Sequence, residues 1–310
     1  PRDRPRETAA RDPPENRSLA LAEDTVTLDP PAAPDTETEA EAPVETPEPR
    51  VVAFANPTAG KGRVGRSLVA LRERLVRLWP GIEFFITTAP GEAARILHGL
   101  PLPPSSLVIS IGGDGTVHEI GTALHERQGV SLGVVPFGSG NDVALQLGMP
   151  RDPFAALEAI RDGEPLPWDL GVLGPYTFLN TVGFALSAET CYWSHRTGPL
   201  TGLARYGVAV ARAWWTHESL TLGIDGMQKS GTRMTTLIEI GIGDRSGGGF
   251  RLTTKAQVDD GLLDVCLVDA LPRWQIPLVA PKARDGRHLD HPAVTYEELS
   301  SFRIQLPQDT

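Results

Sequence analysis

The chain has 310 residues, 40% of them hydrophobic, two cysteines, and a formal net charge of -10. Residues 1–50 hold 13 acids against six arginines and the remainder holds 26 acids against 23 bases, so the bulk of the chain is nearly neutral. No basic stripe interleaved with aromatics is present, which argues against a nucleic-acid partner, and no apolar run nears the ~20 residues that span a bilayer. The cysteines, Cys191 and Cys266, have no metal-ligand spacing; they suit a reducing cytoplasm and are expected as buried thiols.

Residues 1–49 hold ten of the 28 prolines and no aromatic residue. Such a segment cannot bury enough surface to offset its ordering entropy, so it is expected to be disordered. It lacks the apolar core of a secretory signal. The first expected strand is Arg50–Ala55, followed by the loop Asn56–Arg63. Ser67 is placed to cap a helix carrying Leu68, Leu71, Leu75 and Leu78 on one face, stopped by Pro80. Ile82–Thr87 reads as a second strand and Glu92–Leu100 as a second helix. The apolar runs at 106–111 and 131–135 read as strands three and four. This alternation indicates a parallel sheet with helices on both faces, a doubly wound domain over residues 50–165.

Both later strands run into glycine turns that open helices. Gly112-Gly113-Asp114-Gly115-Thr116 leads into His118–Leu124, and Pro136-Phe137-Gly138-Ser139-Gly140-Asn141-Asp142 leads into Val143, Leu145 and Leu147. Glycines let the backbone approach an anion, and the free N–H groups at a helix start donate to it. Two such turns on successive parallel strands share the carboxyl edge, where open α/β sheets bind ligands. Backbone N–H groups of Gly113, Gly115 and Ser139 are expected on phosphate oxygens, with Asp114 orienting Mg²⁺ through water. Gly60-Lys61 is not a P-loop, because the GxxxxGK[ST] frame is absent.

Past Asp169 the rhythm changes. Short runs at 176–179, 220–224, 234–242 and 263–268 suggest an antiparallel, β-rich domain over 166–310. Leu203–Trp215 interrupts it with helical spacing. That pattern favours a core-packed helix, with a membrane-interface helix as the other reading. In Val258-Asp259-Asp260-Gly261-Leu262 the adjacent acids repel each other unless compensated. A cation on Asp260 and nearby carbonyls and a plain acidic turn both fit.

Taken together, NPTAGKGR at 56–63, GGDGTVHEI at 112–120, PFGSGNDVA at 136–144 and GGGF…VDDGLLDV at 247–265 resemble the diacylglycerol kinase catalytic-domain family. The resemblance runs from about Val51 onward. It implies an NAD-kinase-like nucleotide-binding domain, a β-sandwich-like second domain, and ATP- and Mg²⁺-dependent phosphoryl transfer to a lipid hydroxyl, with diacylglycerol first. Nucleotide contacts would fall on Thr87, on Gly113, Asp114, Gly115, Thr116, Val117, His118 and Glu119, and on Ser139. Asn56, Gly138, Asn141 and Asp142 would shape the cleft. Mg²⁺ would sit on Asp260 with the carbonyls of Gln257 and Leu262.

The family resemblance also implies a diacylglycerol-like substrate, transient contact with a membrane surface from the cytoplasm, and a homodimer. Its catalytic carboxylate belongs to a late Asp-Gly-Glu segment, absent after the stretch Phe302–Pro307, so either the chain is cut short before its proton acceptor or the protein lacks that base. Asp162-Gly163-Glu164, between the domains, is no substitute. The alternatives are a kinase for NAD or another soluble alcohol, and a non-catalytic nucleotide- or lipid-binding protein.

Overall fold

The computed structural model describes residues 24–28, 48–197, 202–247 and 249–306. Its first strand, β1 (Asp24–Leu28), corrects the expectation of disorder throughout 1–49: it pairs antiparallel with residues near 171–173 and 301–304. The rest of the tail lies outside the described residues.

Strands β2 (Val51–Ala55), β3 (Glu83–Ile86), β4 (Leu107–Gly112) and β5 (Ser131–Pro136) form a four-stranded parallel sheet in the order β3-β2-β4-β5. In β2, β4 and β5 almost every residue is buried, as continuous apolar runs covered on both faces require. Helices α1 (Ala59–Leu78) and α5 (Pro153–Asp162) cover one face, packing Val64, Leu71, Leu75 and Leu157 against Ala53, Ile109 and Val135. Helices α2 (Glu92–Gly99) and α3 (Asp114–Ala123) cover the other, packing Leu97 and Ile120 against Val52, Phe54 and Val108.

The doubly wound expectation holds, with two local corrections. Ser67 lies inside α1 and does not cap it. Helix α5 was not expected, although Asp152-Pro153 is a strong start signal: the Asp152 carboxylate accepts from the N–H groups of Phe154 and Ala155 at 3.0 and 2.9 Å. Asp162, at its end, is exposed and paired with Arg161.

The short α4 (Asp142–Gln146) precedes α5, after which the chain crosses to the antiparallel domain. Its strands are β6 (Gly171–Leu173), β7 (Tyr176–Phe178), β8 (Thr181–Ala185), β9 (Leu220–Asp225), β10 (Gly231–Gly241), β11 (Leu263–Asp269), β12 (Val294–Leu299) and β13 (Ser301–Gln305). With β1 they make a nine-stranded sheet, eight strands of it ordered β12-β11-β10-β9-β13-β1-β6-β7 and the ninth, β8, paired with β10 off that path. The long β10 forks: residues 231–235 pair with β9 and residues 237–241 pair with β8. Leu222, Ile238, Ile240, Val265 and Phe302 fill the space between its limbs.

Helices α6 (Leu186–Ser194) and α7 (Gly202–Thr216) and the turn α8 (Ile276–Val279) cover the outer face. Cys266 is buried, but Cys191 is exposed on α6, against expectation. Among the described residues no helix is long and apolar enough to cross a membrane.

Candidate functional site

Three loops meet at the carboxyl ends of β2, β4 and β5. Asn56 N–H donates to Ile111 O at 3.1 Å, and Phe137 N–H to Gly112 O at 2.7 Å, so each loop leaves its strand still tied to a neighbour. The Asn56 side chain bridges the first two loops: Oδ1 accepts from Thr58 N–H at 3.1 Å, and Nδ2 donates to Thr116 Oγ1 at 3.3 Å. Gly60, Lys61 and Gly62 are consecutively left-handed, which turns the first loop back onto the third. Arg63 then lies over the Phe137 ring.

The two glycine turns touch backbone to backbone. A Cβ on Gly138 would lie 2.7 Å from the Gly113 Cα, so no side chain fits between them. Asp114 clasps them. Its Oδ2 accepts from Asn141 N–H and its Oδ1 from Asp142 N–H, both at 2.7 Å. Such charge-assisted bonds are stronger than neutral ones. The structure thus gives Asp114 a task the sequence did not show: each carboxylate oxygen accepts an N–H of the second glycine turn and holds it against the first.

Asn141, itself left-handed, closes its turn with two bonds to Gly138. Asp142 is buried beneath it.

The remaining expected nucleotide residues divide between rim and support. Gly115, His118 and Ser139 are exposed at the lip, beside the start of the ten-residue α3, whose dipole favours an anion. Thr116 and Val117 are buried. Val117 packs with Val134, Val143 and Leu179, the last from the β-rich domain. Glu119 points away from the lip: its Oε1 accepts from Ala93 and Ala94 N–H at 2.9 and 3.2 Å, capping α2. Thr87 is buried at the end of β3, with its N–H on Ala55 O.

The acidic turn at 257–262 is tied to a residue that sequence reasoning used only as a boundary. Gly261 N–H donates to Asp169 Oδ2 at 2.8 Å, and Asp169 N–H to Val258 O. Leu262 N–H donates to Asp260 Oδ1 at 3.0 Å. Burial, and then the charges of Asp260 and Asp259, push the Asp169 carboxyl above its ordinary range. Burial also raises Asp264 to about 6, and its Oδ2 has no partner.

No group of three or more His, Cys, Asp or Glu side chains is placed to hold a metal among the described residues. An oxygen set of one carboxylate and backbone carbonyls, in a turn with uncompensated acid charge, nonetheless fits a hard cation. Gln257, Asp260 and Leu262 lie together in that turn.

The β-rich domain holds an apolar pocket of about 680 Å³, counting its open mouth. Leu186, Val210, Leu237, Val268, Ile276 and Val279 are among the apolar residues of its wall. Two polar features border it. His288 is buried with Nε2 3.1 Å from Leu252 O and Nδ1 unpartnered. Ser187 turns its hydroxyl to the fully buried Glu239. Burial raises the Glu239 carboxyl, which the hydroxyls of Ser187, Thr181 and Ser246 partly offset.

Thr181 and Ser246 border the loop in which Asp244 N–H donates to Gln146 Oε1 at 3.1 Å, so this polar seam runs from the pocket to the end of α4. Gly248, in the middle of the triple-glycine motif, lies outside the described residues. Neither Glu239 nor the pocket had a sequence signal, since each is assembled from separate strands and helices.

Comparison with known proteins completes the site. Residues 50–173 match the diacylglycerol kinase catalytic domain, and residues 180–310 match the YegS C-terminal NAD kinase beta sandwich-like domain. The chain is 34% identical over 202 residues to a protein of Pseudomonas aeruginosa named probable lipid kinase YegS-like, covering 59% of this chain and 61% of that relative. It is 26% identical over 260 residues to the diacylglycerol kinase of Bacillus subtilis, covering 82% of this chain and 84% of that one. A crystal structure of a diacylglycerol kinase from Bacillus anthracis superposes with a TM-score of 0.63 at 21% identity, covering 83% and 86% of the two chains, and shows the shared fold.

Proposed function

The chain belongs to the diacylglycerol kinase catalytic-domain family through residues 50–173, and from that premise we propose that it transfers the γ-phosphoryl group of ATP to a lipid hydroxyl, with diacylglycerol as the acceptor. The observation that carries this is the Asp114 clasp, which presents two glycine turns as one rigid lip, in a chain whose β-rich domain holds an apolar pocket. Phosphoryl transfer needs positioning and charge neutralisation more than covalent chemistry. The lip supplies positioning for the phosphates through Gly113, Gly115 and Ser139. The pocket takes an acyl chain, and the seam through Ser187 and Glu239 leads from it toward the lip.

Mg²⁺ would be held by Asp260 and the carbonyls of Gln257 and Leu262, where its charge offsets the acids of that turn. Asp169 braces the turn from the other side.

One assay tests the reading: ATP consumption by the full chain across a panel of diacylglycerol, monoacylglycerol, a sphingoid base and NAD, with and without Mg²⁺. Turnover with diacylglycerol above the others is expected. Turnover with NAD alone would replace this reading with a soluble-acceptor kinase. ATP binding without turnover on any acceptor, even with a late Asp-Gly-Glu segment supplied after Phe302–Pro307, would leave a nucleotide-binding protein. For the metal, Asp260→Ala should abolish Mg²⁺-dependent thermal stabilisation, since a ligand that binds only the folded state raises its stability by mass action. An unchanged Mg²⁺ response would leave the turn as a plain acidic loop.

A further inference from the structure

We infer that α6, the outer face of α7 and the turn α8 together form a docking surface for an anionic lipid bilayer, an inference that deepens the lipid-kinase reading by naming where its substrate is met. Tyr192 on α6, Trp215 on α7, and Trp274 and Leu278 at α8 are 51, 71, 66 and 61% exposed. They come from three separate stretches of sequence and are held side by side. Trp214 meets Trp215 edge-on at 6.1 Å and donates its Nε1–H to Arg273 O at 2.7 Å, which brings the Trp274 turn against the end of α7. Arg273 Nε in turn donates to His217 O at 3.0 Å. Tyr192 packs edge-on against Trp193, which joins Trp214 and Ile276 in one buried cluster.

Charge singles out the partner. Arg196 lies over the Tyr192 ring at 3.6 Å and Arg212 over the Trp193 ring at 5.1 Å. Arg273 lies between the tryptophans, and Lys282 and Arg284 are exposed just beyond α8. Of the nearby acids, Glu189 is paired with His217, Asp285 with Arg287, and Glu218 stands at the end of α7. Exposed tryptophan, tyrosine and leucine rimmed by arginine is the composition that settles at the headgroup level of an anionic membrane.

Continuity with the pocket is the second argument. Val210 of α7 and Ile276 and Val279 of α8 line the apolar pocket from within, while Trp215, Trp274 and Leu278 on or beside the same helices face outward. A lipid leaving a bilayer seated on this face enters between α7 and α8. Val69 and Val76, also exposed on α1, do not line the pocket, and they serve as the control.

The test is co-sedimentation of the full chain with phosphatidylcholine vesicles, with and without phosphatidylglycerol, alongside tryptophan emission. Binding is expected to rise at least tenfold with phosphatidylglycerol and to fall in high salt, with a blue-shifted emission. W274S/L278S should lower the partition at least tenfold on both vesicle types. R196E/R212E should erase the preference for phosphatidylglycerol and spare the weak binding to phosphatidylcholine. V69S/V76S should change neither.

Unchanged binding in both docking variants would overturn the inference. So would self-association of the vesicle-free protein that W274S/L278S abolishes, which would assign the face to a second copy. Phosphorylation of a short-chain diacylglycerol in detergent is read separately. Its absence with normal vesicle binding sinks the kinase reading alone, and its persistence while the docking variants still bind vesicles like the parent sinks the docking alone.

Discussion

In the α/β domain strands β2, β4 and β5 are buried on both faces, and the polar groups that matter sit at one edge, on turns whose backbone is the candidate binding surface. In the β-rich domain the candidate binding surface is the side-chain wall of a pocket, and the polar groups beside it are few and deeply buried. At the edge, geometry is fixed by hydrogen bonds between loops: Asp114 to Asn141 and Asp142, Asn56 to Thr116, Asn141 to Gly138. In the pocket it is fixed by packing among α6, β10, β11 and α8. The first region should fail sharply when a single bond or atom is changed, and the second should yield by degrees.

Asp114→Ala should have the largest effect. It removes two bonds to a charged acceptor, each worth about 1.5–3 kcal/mol and less here because the group is only half-buried. Turnover with saturating lipid is expected to fall at least tenfold, with lower thermal stability. Normal turnover in a folded variant would remove the clasp from the site. Gly138→Ala comes next, since its Cβ meets the Gly113 backbone at 2.7 Å and overpacking costs about 1–3 kcal/mol. ATP affinity measured by calorimetry should drop about tenfold. The matched change Gly115→Ala, where nothing lies within 4 Å, should leave the melting temperature within a degree or two. Equal behaviour of the two alanines would refute the back-to-back packing.

Pocket changes should be graded. Ala283 lies in the wall, so Ala283→Phe should raise KM for a long-chain diacylglycerol severalfold while leaving ATP affinity alone. An unchanged KM across chain lengths would take the acyl chain out of this pocket.

The smallest effect belongs to Glu239. Its folded carboxyl is raised, so the fold holds the proton more tightly than the unfolded chain does. Stability is therefore fully present below the ordinary glutamate range and declines as pH rises from there through the raised folded value. Glu239→Gln cannot ionise, so its melting temperature relative to the parent should climb between pH 4 and 8. Parallel curves would mean that burial leaves this carboxyl unperturbed.

The same contrast explains what was legible in the sequence. The four parallel strands are continuous apolar runs, and the glycine turns are local, so both could be read residue by residue. The work of Asp114 could not, because an acid in a glycine turn suits a metal or a neighbouring N–H equally, and its partners are 27 and 28 residues away. Asp169 braces a turn 92 residues distant. Trp274 and Trp215 become neighbours only through Trp214 and Arg273. Strand β1 hid in a polar, proline-rich stretch, because its apolar content is no guide when its ladder is completed by distant strands.

That strand also sets an order of assembly. Asp24 pairs with Ile304 and Val26 with Leu173, so the antiparallel sheet is interrupted in sequence by the entire α/β domain. Closing so long a loop costs entropy that no contact repays until the last strand arrives, and non-local pairings of this kind form slowly. If residues 50–165 fold first, their compactness brings the two flanking segments together and shortens the effective loop. The α/β domain then acts as the template on which its neighbour is completed, and a destabilising change at the glycine lip should slow the refolding of the antiparallel sheet.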